Sequence, residues 1–312
     1  MQVALVTGGG PDFITEVDAP LTAVLRRRGV TVHTPRWDDA TTDWSRFDLA
    51  LVRTTWDYTT RRDEFVAWAA AAAASTQLWN PAEVLRWNTH KSYLLELEER
   101  GAPVVPTAWL GQGDQVDLAA LLAARSWQRA VVKPAVAAGS EGLARVGVTP
   151  AAPADTPSDP PPGPARELDE VAGQRHLEQL LAVGDALVQP FLPAIERSGE
   201  LSLIVVDGEV THAVRKQPRT GDFRVQEEFG GSMQPVEADP AARELARWIV
   251  SATGAELLVA RVDLVADEVG TWQLVELEAT EPDLYLRVAP AAAEPLAEAV
   301  LRRLPRARTP EA

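Results

Sequence analysis

Cysteine is absent from this chain of 312 residues, and histidine occurs only four times. Without cysteine, disulfides, a thiolate nucleophile and cysteine-based zinc sites are excluded. The histidines lack metal-type spacing, which argues against zinc. Long apolar runs are missing too, since no stretch approaches the roughly 18–20 residues that a membrane span needs. The N-terminus has no basic segment, so we expect no secretory signal, no membrane partner and a soluble, cytoplasmic protein.

Positive charge is also scarce: 30 Lys and Arg face 45 Asp and Glu, for a formal net charge of −15. Nucleic-acid binding depends on neutralising phosphates, so this balance argues against a nucleic-acid partner. A phosphate bound by this protein must meet a local basic pocket on an acidic body. The length suits two domains, or one large α/β unit with a lid.

The first 90 residues have the element order of an open parallel sheet. Strands are predicted for "QVALVT", "VTVHTP" and "FDLALVRTTW", and helices for 19–28 and 63–74. This β-α-β-β-α order is typical of a Rossmann-type domain. The glycines at 8–10 form neither a dinucleotide-binding motif nor a P-loop, and we interpret them as a turn at the end of a strand.

The rest of the chain predicts a second region with its own sheets. One helix is expected from Pro81 to Gly101, and the Pro-rich residues 149–166 are interpreted as a flexible surface insertion. The other predicted elements are a strand at 130–135, a small-residue loop at 136–142, the strand "LARVGV", a helix at 170–182, the strand "ALVQPFL", a hairpin turning at Asp207-Gly208, a helix at 239–253, two acidic strands and a closing helix at 290–304.

Acidic residues inside the two C-terminal strands are the first chemical signal. The stretch "LLVARVDLVADEVGTWQLVELEAT" puts Asp263, Glu276 and Glu278 among apolar neighbours. Glu276 and Glu278 are two residues apart and leave the same face of a strand. At roughly 7 Å and an effective dielectric of about 20 they repel by about 2 kcal/mol, which a hard cation such as Mg²⁺ would offset. The alternative is a solvated sheet edge where both glutamates face water.

Basic residues that could meet a phosphate lie in three places. Lys133 ends a strand beside the small-residue loop 136–142, whose backbone amides could approach an anion. Lys216 and Arg224 belong to a Gly-containing segment after the hairpin, and guanidinium pairs well with phosphate. Each has a simpler alternative as a solvated lysine or a charged surface loop, and Lys91 could equally be a solvated helix lysine.

Taken in order, these segments resemble the ATP-grasp superfamily of carboxylate–amine ligases, and the second half is most similar to its glutathione synthetase-like branch. The segments that carry the resemblance are "VVKP", the small-residue loop, "VQPFLPAI", "GELSLIVVDGE", "RKQPRTGDFRVQ", "ARVD" and "ELEATEPD". The N-terminal "VRTTWDYTTRRDEF" is similar to the ligase group that closes O-ureido-serine into cycloserine.

The resemblance implies an α/β fold in which an N-terminal Rossmann-like parallel-sheet domain precedes a two-lobed ATP-grasp domain that clasps ATP between two sheets. We therefore expect a substrate domain at 1–90 and an ATP-grasp domain at 91–305. Within the second, a lid subdomain would span about 104–188 and a metal-binding subdomain about 189–305, and a tail would follow at 306–312.

Roles for individual residues follow from the resemblance. It implies that the ATP phosphates meet Lys91, Lys133 and Ser140. It implies that the adenine and ribose meet Gln189, Phe191, Leu192 and Glu200, and that the catalytic cations are Lys216 and Arg224. The metal ligands would be Asp263, Glu276 and Glu278, of which Glu278 replaces the asparagine of the glutathione synthetase branch. The substrate would meet Arg53, Thr55, Trp56, Asp57, Tyr58, Gly230 and Gly231, although Trp56 and Tyr58 could instead pack at a strand end.

The implied activity is ATP- and Mg²⁺-dependent amide formation through an acyl phosphate on a small amino-acid-like substrate, either between two molecules or within one. Two Mg²⁺ ions, or Mn²⁺ in their place, would assist. Ligases of this kind are commonly homodimers or homotetramers. The alternatives are an inactive ATP-binding regulatory or partner-binding protein and a small-molecule kinase.

Overall fold

The computed structural model of the chain describes residues 1–9, 16–147, 167–219, 222, 224–225 and 229–305. The predicted flexible insertion at 149–166 and the predicted tail at 306–312 lie outside these residues. The described strands form three sheets.

The first sheet is parallel and has the strand order β2-β1-β3-β4. Its elements are β1 (Gln2–Thr7), α1 (Ala19–Arg27), β2 (Thr31–His33), β3 (Leu49–Thr54), α2 (Arg62–Ala73) and β4 (Leu78–Trp79). Val3 and Leu5 pack with α1, whereas Ala4 and Val6 pack on the α2 side. Both faces are therefore buried, as expected for continuous apolar parallel strands. The predicted Rossmann-type sheet is confirmed.

The second sheet, which we call the lid sheet, has the order β5-β9-β6-β7-β8. Its elements are β5 (Ala108–Leu110), α5 (Leu118–Ala124), β6 (Arg129–Pro134), β7 (Ala144–Gly147), β8 (Glu167–Leu168), α6 (Glu170–Val183) and β9 (Ala186–Pro190). Val132 and Val188 pack against Leu122 of α5 and Leu177 of α6. Side chains alternate along a strand, so Lys133 leaves the opposite face.

The third sheet, the metal-side sheet, is antiparallel with the order β12-β11-β10-β13-β14. It follows α7 (Ala194–Ser198) and comprises β10 (Glu200–Val206), β11 (Glu209–Gln217), β12 (Ser232–Val236), α8 (Pro240–Ala252), β13 (Val259–Ala266) and β14 (Trp272–Glu278). The predicted hairpin is confirmed: Asp207 and Gly208 turn between β10 and β11 with φ of 54° and 81°. Val262 and Leu277 pack with Ile249 of α8.

One predicted element was wrong. The single helix expected from Pro81 to Gly101 is two short helices, α3 (Ala82–Asn88) and α4 (Tyr93–Glu99). The backbone amide of Lys91, in the connection, donates to Ala135 O at 2.8 Å instead of continuing a helical ladder. The Asn88 side chain also bonds the backbone of β14, donating to Leu277 O at 2.8 Å. These contacts hold the break between the end of β6 in the lid sheet and β14 in the metal-side sheet.

The last helix, α9 (Ala293–Arg303), returns to the start of the chain. Its Leu296 and Val300 share one apolar core with Val3 and Leu5 of β1 and with Ile204 of β10. The N-terminal parallel sheet and the metal-side sheet therefore share one core. Among the described residues, no helix is long and apolar enough to cross a membrane.

Candidate active site

The lid sheet and the metal-side sheet face each other across a cleft of about 560 Å³. Lys133 and the loop 136–142 line it from the lid side, while β10, β11, β13 and β14 line it from the other. Val262 and Leu277 point to the core, so the alternate residues Arg261, Asp263, Glu276 and Glu278 face the cleft. The alternation of side chains along β13 and β14 therefore places apolar residues in the core and charged residues in the cleft.

The three predicted metal ligands converge. Asp263 on β13 lies directly opposite Glu276 on β14. Asp263, Glu276 and Glu278 each offer a carboxylate oxygen, and these oxygens lie within 4.8 Å of one another. Burial raises the pKa of Glu278 to about 7, with Arg261 opposing and Glu276 and Asp263 reinforcing the shift. The solvated-edge alternative does not describe these side chains, because they are at most half-exposed and line the cleft.

Arg261 is a site residue that the sequence reasoning missed. Its guanidinium donates to both Asp263 oxygens, with Nε–Oδ1 and Nε–Oδ2 both at 3.1 Å, and also to Glu278. Arg261 and Asp263 are two residues apart, so the same-face spacing that marked the two glutamates could have revealed it. Burial alone would raise the pKa of Asp263, but Arg261 and Lys216 hold that pKa well below its ordinary value.

Lys91 is a cleft residue and not a solvated helix lysine. Its ammonium lies 2.7 Å from Glu276 Oε1 and donates to Ala137 O at 3.1 Å. Burial would lower the pKa of Lys91, but attraction to Glu276 raises it above its usual value. The lysine is therefore cationic at neutral pH and ties the loop 136–142 to the acidic face.

Lys216 and Glu200 form a second buried pair in the cleft. The Lys216 ammonium contacts Glu200 directly and lies 3.5 Å from Asp263 Oδ2. Burial would lower the pKa of Lys216, but Asp263 and Glu200 raise it. Burial raises the pKa of Glu200, which Lys216 only partly offsets.

Lys133 extends from β6 toward the same acids without reaching them. It is 7% exposed, and burial lowers its pKa to about 8. Next to it, Gly139 and Ser140 have φ of 61° and 67°, and Ser140 lines the cleft. The loop between β6 and β7 therefore brings small residues in left-handed conformations beside a buried lysine, an arrangement that suits an anion.

A smaller cavity of about 90 Å³ opens beside Lys133 and Glu200. Gln189, Leu192 and Arg224 line it. The Gln189 side chain donates to Thr107 Oγ1 at 2.9 Å, which leaves its aliphatic part toward the cavity. Five of the predicted nucleotide-binding residues thus line this cavity: Lys133, Ser140, Gln189, Leu192 and Glu200.

Two other predicted residues of this region are placed differently. The Phe191 ring lies between the Arg129 and Arg145 guanidinium groups, at 4.7 and 4.9 Å from its centroid, and its backbone amide donates to Arg129 O at 2.9 Å. Arg224 donates to Asp222 Oδ2 at 2.9 Å and stacks on Phe229. It lines the smaller cavity, and its expected catalytic role stays a prediction.

Of the predicted substrate residues near the N-terminus, the structure brings Trp56 to the cleft wall. Arg53 is fully buried, and its guanidinium forms a two-point ion pair with Asp18 at 2.9 and 3.0 Å. Thr55 is fully buried as well. Asp57 accepts from Trp37 Nε1 at 3.1 Å, behind the wall.

The remaining predicted substrate residues also lie off the cleft wall. Tyr58 is buried and stacks on Phe65 with ring centroids 5.0 Å apart, which matches the packing alternative for this residue. Gly230 is exposed with a φ of 81° beside the Arg219 side chain, and Gly231 follows it.

The segment after β14 supplies wall residues that the sequence reasoning did not identify. Asp283, Tyr285 and Arg287 line the cleft next to Trp56. Burial raises the pKa of the neighbouring Glu281 to about 8, with Glu278 reinforcing the shift. The sequence carries no regular pattern here, because the segment is neither helix nor strand.

The donor set fits a hard divalent cation. Asp263, Glu276 and Glu278 offer only carboxylate oxygens, which magnesium and manganese prefer. Lys91, Lys216 and Arg261 compensate these acids within the protein. The same cations lie where phosphate oxygens would enter, so the cleft can take a metal–nucleotide complex.

Two family descriptions match parts of the chain. Residues 3–80 match the N-terminal domain of D-cycloserine synthetase DcsG, and residues 171–284 match the RimK-like ATP-grasp domain. The cycloserine biosynthesis protein DcsG of Streptomyces lavendulae is 32% identical over 306 residues, covering 91% of this chain and 93% of that protein. A glutathione synthetase of Prochlorococcus marinus is 30% identical, covering 75% of this chain and 66% of the synthetase.

Solved structures show the same relationship. The crystal structure of D-cycloserine synthetase DcsG superposes with a TM-score of 0.83 at 29% identity, over 98% of this chain and all of that one. The D-alanine–D-alanine ligase of Bacillus anthracis superposes with a TM-score of 0.67 at 12% identity, over 97% of each chain. The predicted two-lobed architecture is therefore confirmed.

Proposed function

The chain belongs to the ATP-grasp ligase family that includes the cycloserine biosynthesis protein DcsG, and we propose that it closes an amide bond within a small amino-acid-like substrate. Members of this family are ATP-dependent ligases that form amide bonds with the help of Mg²⁺, and this chain is such an enzyme. We infer that the amide bond closes a ring because the similarity to DcsG extends over nearly the whole length of both chains.

One observation carries the proposal. The acids on β13 and β14 and the cations Lys91, Lys133 and Lys216 meet in a single cleft between two sheets. Phosphoryl transfer from ATP needs positioning and charge stabilisation more than it needs an enzyme nucleophile. A mixed cluster of carboxylates and fixed cations supports that chemistry.

In the proposed reaction, an oxygen of the substrate carboxylate attacks the γ-phosphorus of ATP, and ADP leaves with the electron pair of the broken bond. The substrate nitrogen then attacks the acyl carbon, loses its proton and expels phosphate. Lys91 and Lys133 would hold phosphate oxygens, with the loop 136–142 covering them. Arg261 and Lys216 would stabilise the negative charge that develops at the transferring phosphoryl and acyl groups.

Asp263, Glu276 and Glu278 would hold the divalent cation. Bound there, Mg²⁺, or Mn²⁺ in its place, supplies Lewis-acid stabilisation of the phosphate charge, and we propose two ions. Gln189, Leu192 and Glu200 would border the nucleoside in the smaller cavity.

The substrate end of the cleft would lie at Trp56, Asp283 and Arg287. A carboxylate and a guanidinium on one wall can accept the ammonium and carboxylate of an amino acid. The domain division at residue 90 and the assembly as a homodimer or homotetramer remain predictions.

A direct assay tests the proposal. The purified chain is incubated with ATP, Mg²⁺ and O-ureido-serine, with an amino-acid panel in parallel, and ADP is measured while mass spectrometry identifies the product. We expect ADP in step with a ring-closed product, which is cycloserine when water also removes the carbamoyl group of O-ureido-serine as carbon dioxide and ammonia. A product that retains phosphate would indicate a kinase, and an absence of ADP with every substrate would indicate a nucleotide-binding protein without ligase activity.

The metal assignment is tested by Glu276→Gln. We expect Mg²⁺-dependent turnover to fall by about 100-fold, since metal stabilisation in such sites contributes several kcal/mol, and Mn²⁺ binding followed by electron paramagnetic resonance to weaken in parallel. Glu268→Gln, in the exposed turn between the same two strands, is the matched control. Equal Mn²⁺ affinity in both variants would remove Glu276 from the metal site.

A further inference from the structure

The segment 281–287, which follows β14 and forms a wall of the cleft, is held in place from three separate parts of the fold. Side chains of the 3-10 helix at 56–60, of β3 and of β11 each donate to one of its backbone carbonyls. These bonds are Trp56 Nε1 to Glu281 O at 3.2 Å, Arg53 Nη1 to Pro282 O at 3.0 Å and His212 Nε2 to Leu284 O at 2.8 Å. These three hydrogen bonds hold in place a segment that has no regular secondary structure.

Tyr285 lies in the middle of this segment in a left-handed conformation, with a φ of 51°. Such a conformation is unfavourable for a residue with a large side chain and persists only where the surroundings impose it. Here its amide donates to Asp283 Oδ1 at 2.8 Å, in addition to the three carbonyl contacts. Backbone strain of this kind is concentrated at functional sites.

The Tyr285 ring faces two cations of the cleft. Its centroid is 5.5 Å from Arg261 Cζ and 5.9 Å from Lys216 Nζ, and the residue is 3% exposed. Both distances lie within the range of cation–π attraction, which strengthens when the ring is shielded from water. The carboxylates of Asp263 and Glu278 also accept hydrogen bonds from the Arg261 guanidinium.

We propose that Tyr285 is a positioning residue for the ligase reaction, because its ring fixes the Arg261 guanidinium and the Lys216 ammonium at the cleft wall. The inference rests on the proposed function for its catalytic consequence. A cation that is already oriented needs no rearrangement when charge develops, which is the main source of electrostatic catalysis. The strained backbone is what directs the ring to that place.

Three substitutions of Tyr285 distinguish the effect of its ring from the effect of its backbone conformation. Tyr285→Phe keeps the ring, Tyr285→Ala removes it, and Tyr285→Gly removes it while accepting a positive φ without strain. If the conformation is as described, the glycine variant melts at a higher temperature than the alanine variant. It also provides a folded ring-free protein if the alanine variant does not fold.

The direct readout is the mobility of Arg261. The ¹⁵N relaxation of its Nε–H group is measured in the chain without nucleotide, with Arg261→Lys used to assign the signal. We expect a rigid group in the wild type and in Tyr285→Phe, and a mobile one in Tyr285→Gly. Unchanged rigidity of Arg261 in Tyr285→Gly would overturn the proposal.

Kinetics give the catalytic consequence. With the substrate identified as above, the ring-free variants should lose about tenfold in kcat while KM for ATP changes by less than about twofold, which is the size expected from loss of cation–π contacts. Tyr285→Phe should recover most of kcat. If the wild type forms no ADP with any substrate, the proposed function is refuted. The relaxation comparison needs no substrate, so it still decides whether the Tyr285 ring positions Arg261.

Discussion

Single charges decide the chemistry of the cleft. The three acids of the predicted metal site already have cationic partners, Lys91 for Glu276 and Arg261 for both Asp263 and Glu278. We expect a metal–nucleotide complex to exchange these partners, so that lysines move to phosphate oxygens while carboxylates move to the metal. Buried charges tolerate such an exchange because no group is left unpaired at its end.

Lys133 differs from the other cations, since no carboxylate in the described part of the chain pairs with it at close range and burial lowers its pKa to about 8. In the unfolded chain its pKa is about 10.4. The unfolded state therefore binds more protons than the folded state between about pH 8 and 10.4, and the contribution of Lys133 to stability rises with pH across that window. Bound phosphates would favour the charged form instead.

We predict that ATP binding takes up a proton at pH 9 but not at pH 7, because above its lowered pKa Lys133 must be reprotonated to meet the phosphates. Isothermal titration calorimetry in buffers of different ionisation enthalpy measures this uptake. Lys133→Arg, which stays protonated, should abolish it and flatten the pH dependence of the ATP affinity. Equal proton uptake at pH 9 in this variant and in the wild type would show that another group titrates.

At the scale of strands, the sequence was a good guide wherever one face is buried. The period of two in "WQLVELEA" predicted that Glu276 and Glu278 share a face, and the register pairs them with Asp263 and Arg261. The turn at Asp207-Gly208 could be predicted because left-handed φ values select such residues. In each case the decisive information is local in the chain.

Features that depend on distant contacts could not be predicted in this way. The break between α3 and α4 depends on contacts with β14 and Ala135, far along the chain. Arg53 has the sequence context of a substrate contact, yet its partner Asp18 and the carbonyl of Pro282 enclose it. Only the folded arrangement reveals that Tyr285 and Arg287 are the wall residues.

At the scale of the element, the loop 136–142 is held near both of its ends by hydrogen bonds from side chains of other elements. Lys91 holds its start, and at its end His176 of α6 donates from Nε2 to Gly142 O at 2.8 Å. A loop that covers phosphates binds them more tightly when it is already ordered.

We predict that His176→Ala raises KM for ATP about three- to tenfold with little change in kcat, which corresponds to loss of one hydrogen bond of about 1 kcal/mol. Steady-state kinetics at saturating second substrate measure both constants. His176→Gln, whose amide can donate to the same carbonyl, is the matched control and should restore a low KM. If the alanine variant kept the wild-type KM, the anchor would have no role in nucleotide binding.

At the scale of the whole molecule, the last described helix packs against the first one and the first strand. Helix α9 packs on α1, and Leu296 and Val300 enter the core that β1 shares with β10. Arg27 at the end of α1 also pairs with Glu294 at 2.7 Å, on the surface. The N-terminal sheet therefore has no complete core without residues from the far end of the chain, although the cleft itself lies between the other two sheets.

We predict that a chain ending at residue 289 does not fold, whereas one ending at residue 305 is as stable as the full chain. The shorter chain loses buried side chains of α9 and of the residue that follows it, including Leu296, Val300 and Leu304. At about 1.5–3 kcal/mol for each large apolar side chain, this loss approaches the 5–15 kcal/mol that stabilises a typical domain. Far-UV circular dichroism during urea unfolding compares the two. A cooperative transition of the shorter chain at the midpoint of the longer one would mean that the N-terminal sheet forms its core without α9.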